Sequence, residues 1–311
     1  MSVFSEINRQ FPVRNTPEEK ETFRKYVLSA ASEAGWNGGV EEADGHRNVI
    51  LGNPETAKVI FTAHYDTPRT SLFPNLMIPC SRWLHWLYQI GIVILLLLIP
   101  SLAAAWAVFR LAALDFSRIS DRFLLFGVYM IVYILLFLLF FKGRKNPHNA
   151  NDNTSGVAGV LEIMHTLPAE WKDRVSLILF DDEEKGKKGS RAFAGRHEQI
   201  KKNTAVINFD CIGYGDHFVL IRNRTCTVPE DPVREAFSAI PSVCFTDSSR
   251  AGANSDHLNF DQGMAVLACR QSGHGILYAD RIHTPRDTEV SENNLVLLRD
   301  AAIRYIRELK P

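Results

Sequence analysis

The stretch RVSLILFDDEE, running from Arg174 to Glu184, decides the fold. Its first part is apolar at nearly every position and is of strand length. Its end is a burst of four acids: Asp181, Asp182, Glu183 and Glu184. A short run that stays apolar without alternating is a strand buried on both faces. KVIFTAH (Lys58–His64), TAVINFD (Thr204–Asp210) and MAVLACR (Met264–Arg270) have the same character, and RNVILG (Arg47–Gly52) adds another strand. Helical patterns lie between them. One spans Pro17 to Ala34, with Thr16 as N-cap and acids in its first turn. Another spans Ser155 to Leu167 and is stopped by Pro168, and a third closes the chain from Ser291 to Leu309. Buried strands alternating with helices predict an α/β fold, a mostly parallel mixed sheet with helices on both faces. In such sheets the chemistry collects just beyond the carboxyl ends of the strands.

One segment departs from this pattern. From Trp83 to Phe109, 27 residues pass without Asp, Glu, Lys or Arg, and a second uncharged run covers the 19 residues from Phe123 to Phe141. A helix needs roughly 20 residues to cross a bilayer. Trp83, Trp86 and Tyr88 stand at one boundary, as interfacial aromatics do. The alternative, a pair of buried core helices, normally comes with a polar stripe. The expectation is a transmembrane helical hairpin over residues 81–145, inserted into a discontinuous domain made of residues 1–80 and 146–311. Arg82, Lys142, Arg144 and Lys145 flank its ends, against Arg110, Arg118 and Arg122 in the connection RLAALDFSRISDR. That bias, together with an N-terminus (MSVFSEINRQF) lacking the basic start and apolar core of a secretory signal, favours a cytosolic domain on an integral membrane protein.

Composition fits that picture. Of 311 residues, 46% are apolar and 23% charged, and the formal net charge is zero, so nothing points to nucleic acid as a partner. The five cysteines are scattered, with no C-x-x-C pair, as free thiols in a reducing compartment would be.

The strand ends carry the chemistry. KVIFTAH leads into His64-Tyr65-Asp66, RVSLILF into the four acids, and TAVINFD ends on Asp210. NANDNTSG contributes Asp152, and HTPRDT contributes His283. Two imidazoles with several carboxylates describe a zinc site. Acids this dense would repel one another unneutralised, which suggests two metals sharing one bridging acid. Asp66 can accept the second ring N–H of His64 and fix its tautomer. Of the adjacent Glu183 and Glu184, one can bind metal while the other moves protons. A lone histidine at a strand end is more often structural, and DDEEKGKK alone would be a solvated turn. The joint occurrence, in order, carries the reading. His85, His148, His165, His197 and His274 read as ordinary histidines.

Taken together, AHYDT, NANDNTSGVAGVLEI, LILFDDEEKGKKGS, INFDCIG, SDHLNF and HTPRDT resemble, in order, the motifs of metallopeptidase family 28, the di-zinc aminopeptidases. The likeness covers roughly residues 16–80 and 146–309. It implies a zinc-exopeptidase-like fold and two Zn ions per chain. His64 and Asp210 would bind one, Glu184 and His283 the other, and Asp152 would bridge them. Asp66 would orient His64, Glu183 would be the general base, and His257 or Tyr278 would stabilise the developing oxyanion. The sequence departs from the family pattern at Asp182, where a glycine is usual, in the lysines that follow (Lys185, Lys187, Lys188), and in the hairpin. The expected activity is hydrolysis of amide or peptide bonds by a membrane-anchored zinc aminopeptidase. Its substrate would be hydrophobic or membrane-associated, such as a lipidated peptide or an N-acyl amino acid. A glutaminyl-cyclase-like acyltransferase with one zinc, and a non-catalytic membrane receptor or scaffold, are the alternatives. The complete ligand set argues against both.

Overall fold

The computed structural model describes residues 1–71, 75–110, 117–141 and 143–309. The chain opens with helices α1 (Val3–Gln10) and α2 (Pro17–Glu33) and strands β1 (Gly38–Ala43), β2 (His46–Leu51) and β3 (Val59–His64). Helices α3 (Arg82–Arg110) and α4 (Ile119–Phe141) follow. Next come α5 (Gly156–Thr166), β4 (Val175–Phe180), α6 (Lys188–Arg196), α7 (Glu198–Asn203) and β5 (Ala205–Phe209). The chain ends with β6 (His217–Arg222), α8 (Glu230–Phe237), β7 (Val243–Asp247), β8 (Gly263–Gln271), β9 (Leu277–Tyr278) and α9 (Glu292–Glu308). The strands and helices expected from the sequence are present within a residue or two. The start of α2 is a full capping box: Thr16 Oγ1 accepts from Glu19 N (3.3 Å) and Glu19 Oε2 accepts from Thr16 N (2.9 Å), with Pro17 at the first helical position.

The strands form one sheet in the order β1-β2-β4-β3-β5-β8-β6-β7, with β9 paired to β8. The block β4-β3-β5-β8 is parallel, while β1, β2 and β6 join by antiparallel pairing. Only residues 210–216 separate β5 from β6. That is too short for the crossover a parallel return needs, so β6 runs back against β8. Alternate side chains of β3 serve two cores. Val59, Phe61 and Ala63 pack with α2, α5 and α9 through Phe23, Leu161 and Leu298, whereas Ile60 packs with Phe193 of α6 and Ile200 of α7. The parallel strands therefore all end on one edge, where His64, Asp181 and Asp210 emerge.

Helices α3 and α4 lie outside both cores and against each other. The segments Arg82–Ala103 and Ile119–Leu138 are long and apolar enough to cross a membrane, and almost none of either is buried. They are therefore not core helices. Leu95, Leu98, Phe126 and Ile131 are exposed. The foot of α3 is tied to the sheet domain: Arg82 N donates to Arg250 O (2.8 Å), Gly252 N to Pro79 O (3.2 Å), and Met77 bridges to Ala279. After α4 the chain returns through an Arg69–Lys145 bridge beside the end of β3. Part of the expected polar connection (residues 111–116) and the flanking Lys142 lie outside the described residues.

Candidate metal centre

The carboxyl edge of the parallel block brings the strand-end residues together. His64 closes β3 and is buried. Its Nε2 lies 3.4 Å from Asp152 Oδ1 and 3.8 Å from Asp210 Oδ1. On the other side of Asp152, His283 Nε2 lies 3.1 Å from Asp152 Oδ2 and 3.4 Å from Glu184 Oε2. One carboxylate thus sits between two imidazoles with one oxygen towards each. Donor atoms of His64, Asp152 and Glu184 lie within 4.8 Å of one another, and so do those of Asp152, Asp210 and Cys211. The five residues expected as ligands form one cluster.

Local chemistry places each group. Asp152 lies in an irregular turn entering α5, preceding a cis peptide to Asn153. The Asp287 carboxylate holds the turn by accepting from Asn151 N (2.8 Å) and Asp152 N (3.0 Å). Asn153 Oδ1 accepts from Gly156 N (3.0 Å) and Cys211 N (3.2 Å), joining the Asp152 turn to the Asp210 strand end. Only glycine fits at Gly156, because a Cβ there would lie 2.4 Å from Phe209 O. Arg14 runs beneath the site and is fully buried, its Nη2 on Thr154 Oγ1 (3.0 Å) and its Nε on Tyr65 O (2.5 Å).

Asp66 has a wider part than the sequence implies. His64 Nδ1 lies 3.1 Å from the Asp66 backbone carbonyl and 3.4 Å from its Oδ1. The carboxylate's closer bonds go elsewhere: Oδ1 accepts from Glu183 N (3.0 Å) and Oδ2 from Glu184 N (3.2 Å). Asp66 therefore clamps the acidic turn as well as facing the imidazole. Asp182, at the position where glycine is usual, has φ 51°, in the left-handed region. Lys20, Lys185 and His46 hold its carboxylate at 2.6, 2.8 and 2.8 Å.

The field of the site is strongly negative. Burial would lower the pKa of His64, but the carboxylates of Asp152, Asp210 and Asp66 raise it well above the ordinary value, and Glu184 and Asp152 do the same for His283. Burial, with Asp256, Glu184 and Asp210 nearby, lifts Glu183 far above the usual carboxyl range. Burial raises Cys211 well above the ordinary thiol value, which leaves it inert beside Asp210. A proton or a metal cation answers the same field. The geometry fits a metal: His64 Nδ1 lies against the Asp66 carbonyl, so a neutral ring would turn the Nε2 lone pair towards two carboxylates. Glu184 Oε1 is also buried without a hydrogen-bond partner. Nitrogen and oxygen donors converging on common points fit divalent metal binding.

These residues line a cavity of about 210 Å³. His257 lies in its wall, buried, with neither ring nitrogen hydrogen-bonded, and burial lowers its pKa to about 4. Tyr278 is placed in β9, against Arg270, and is not among the lining residues. Sequence reasoning missed two contributors. Asp287 sits four residues past His283 in the same motif. His85, read as ordinary, lines the cavity from α3 together with Gln89. The available signal was their spacing of four, which puts both on one face of an apolar helix.

The family profile of peptidase family M28 matches residues 141–303, a span that holds Asp152, Glu183, Glu184, Asp210, His257 and His283. Among solved structures, the chain is similar to a Zn-dependent exopeptidase from Parabacteroides distasonis (16% identity, 99% of this chain and 97% of that chain covered, TM-score 0.59). It is also similar to Porphyromonas gingivalis glutaminyl cyclase (16% identity, 99% and 97% covered, TM-score 0.58) and to the LapA aminopeptidase of Legionella pneumophila (14% identity, 98% and 69% covered, TM-score 0.57). At such identities the likeness is one of fold. No curated protein matches the sequence.

Proposed function

The chain belongs to peptidase family M28, and from that premise we propose that it is a membrane-anchored, zinc-dependent hydrolase of amide bonds. We assign it aminopeptidase activity on hydrophobic or membrane-associated substrates. The observation that carries the reading is the Asp152 carboxylate set between the facing nitrogens of His64 and His283. His64 and Asp210 would hold one zinc, His283 and Glu184 a second, and Asp152 would offer one oxygen to each. Bound zinc supplies Lewis acidity, polarising a carbonyl and acidifying water.

The protein's own groups supply the rest. Glu183 accepts the proton of the attacking water and returns it to the leaving nitrogen. Asp66 keeps Glu183 and Glu184 in place through their peptide N–H groups. A buried, neutral His257 donates one ring N–H towards the carbonyl oxygen as charge builds there. Residues 1–80 and 146–311 form the catalytic domain, on the cytosolic side, and α3 and α4 are its membrane anchor. Because the anchor leaves and rejoins the fold at the carboxyl edge of the sheet, the site's rim faces the bilayer. This placement supports a lipidated peptide or an N-acyl amino acid as substrate.

The test is zinc content and turnover of the full-length protein in detergent. Two zincs per chain and hydrolysis of aminoacyl anilides are expected. Glu183→Gln should keep both metals and lose about 10²- to 10⁴-fold in rate. A near-normal rate in that variant would refute the base assignment. One zinc per chain with cyclisation of N-terminal glutamine would replace the hydrolase reading with an acyltransferase.

A further inference from the structure

The cleft is walled on one side by the helix that starts the hairpin. In α3, Trp83, Trp86, Leu87 and Ile90 are at least half exposed. His85, Tyr88, Gln89 and Ile92 are partly buried, at the three- and four-residue spacing of one helix face. The apolar run carries few strongly polar side chains, and a polar group placed in a membrane-length helix marks a site of use. Ser101 satisfies itself on Leu97 O (2.8 Å). His85 and Gln89 instead line the cavity that holds His64, Asp152, Glu183 and Glu184.

His85 is fixed and yet unsatisfied. Its Nδ1 is buried without a hydrogen-bond partner. Nδ1 therefore keeps a hydrogen-bonding position that the protein does not fill. The loop at Gly252 presses on the ring: a Cβ there would lie 2.6 Å from His85 Cβ and 2.5 Å from Ile78 O. A second cavity, of about 520 Å³, shares Asn75, Gln89, Glu184 and His283 with the first and continues along the helix to Ile92.

We propose that α3 is a wall of the substrate site, in which His85 hydrogen-bonds a polar group of the substrate and Gln89 contacts the part that runs on towards Ile92. The substrate class is an amide with a hydrogen-bonding group beside the scissile carbonyl, its remainder lying between Gln89 and Ile92 of α3 and a polar wall that includes Thr67, Arg69 and Thr70. The hairpin is then a specificity element as well as an anchor. This rests on the hydrolase reading above.

The experiment compares wild type, His85→Ala, His85→Gln and Gln89→Leu as full-length, zinc-loaded protein in lipid nanodiscs. Zinc content, thermal midpoint, kcat and KM for aminoacyl anilides of increasing acyl bulk are measured. His85→Ala should keep zinc and midpoint and lose about tenfold in kcat/KM, the worth of one hydrogen bond in a dry site. His85→Gln, which keeps a hydrogen-bonding group, should recover most of it, and Gln89→Leu should shift the preference among acyl groups. Unchanged kcat/KM in His85→Ala, with wild type active, overturns the proposal alone. So does an equal loss of zinc and midpoint in both His85 variants, which would mark a purely structural residue. A wild type that hydrolyses no amide overturns the hydrolase reading with it.

Discussion

Removing the Asp66 side chain probes the clamp on the acidic turn. The carboxylate is 2% exposed and accepts from Glu183 N at 3.0 Å and Glu184 N at 3.2 Å, with His64 Nδ1 at 3.4 Å. Asp66→Ala leaves two peptide N–H groups without that acceptor. Each costs about 1–3 kcal/mol, so the folded state should lose about 4 kcal/mol, a large part of a typical domain's stability. That loss involves no metal and must persist in chelator-treated protein. A second loss should appear only with zinc. A ligating histidine deprived of its outer partner typically binds metal 10- to 100-fold more weakly, which removes a further ~1.4–2.7 kcal/mol of linked stability. Asp66→Asn keeps one acceptor oxygen and turns an NH₂ towards the other peptide N–H, so it should fall about midway. The assay is urea unfolding of wild type and both variants, with chelator and at fixed free zinc. If Asp66→Ala unfolds at the wild-type midpoint with chelator present, the two hydrogen bonds from peptide N–H groups to the carboxylate do not hold the turn. If zinc affinity is also unchanged, Asp66 does not position His64.

Gly252→Ala should act through α3 and leave the proposed metal ligands in place. The new Cβ, 2.5 Å from Ile78 O and 2.6 Å from His85 Cβ, displaces the foot of α3, so kcat/KM should fall about as in His85→Ala with zinc content unchanged. A wild-type rate would show that the foot of α3 yields freely. Asp182 should govern the acid limb of stability. Burial raises its pKa, but hydrogen bonds from Lys185 and Lys20 outweigh that and hold the carboxyl below its ordinary range. A depressed folded value means stabilisation that is complete above the unfolded carboxyl pKa of about 3.9 and lost as pH falls through it towards the folded value. Asp182→Asn should therefore flatten the fall in urea midpoint between about pH 5 and pH 3. An unchanged slope would remove Asp182 from that role.

Much of the edge carrying the site was legible because burial leaves a simple mark. Strands covered on both faces must be apolar throughout, so β3, β4, β5 and β8 stood out, and the polar residues ending them stood out in turn. The outer strands left a weaker mark. β1 reads GGVEEA and β7 VCFTD, each partly exposed along its length, and propensity at an edge decides little. The antiparallel turn of β6 followed from a connection length, which no residue pattern announces. His85 was missed for a related reason. Within an uncharged run of membrane length, the overall hydropathy masks two polar residues, and only the face they share sets them apart. Asp66 was read from its neighbour His64, whereas its closer bonds are to a turn more than a hundred residues further on.

The departures from the family pattern at Asp182 and Lys185 become intelligible through the same turn. A non-glycine residue in the left-handed region costs about 1–2 kcal/mol, and Asp tolerates it better than most. The return is electrostatic. Lys20 of α2 is buried, its Nζ 2.5 Å from Asp181 and 2.6 Å from Asp182. A buried ammonium needs such partners, since removing one from a buried pair costs several kcal/mol. Glycine at 182 would relax the backbone but leave Lys20 with Asp181 alone and free the tie to His46 on β2. The turn carrying Glu183 and Glu184 is thus gripped from two sides, through peptide N–H groups by Asp66 on β3's end and through Asp181 and Asp182 by α2. For the proposed base and the proposed metal ligand, adjacent in sequence, that double hold matters, because a shift in one moves the other.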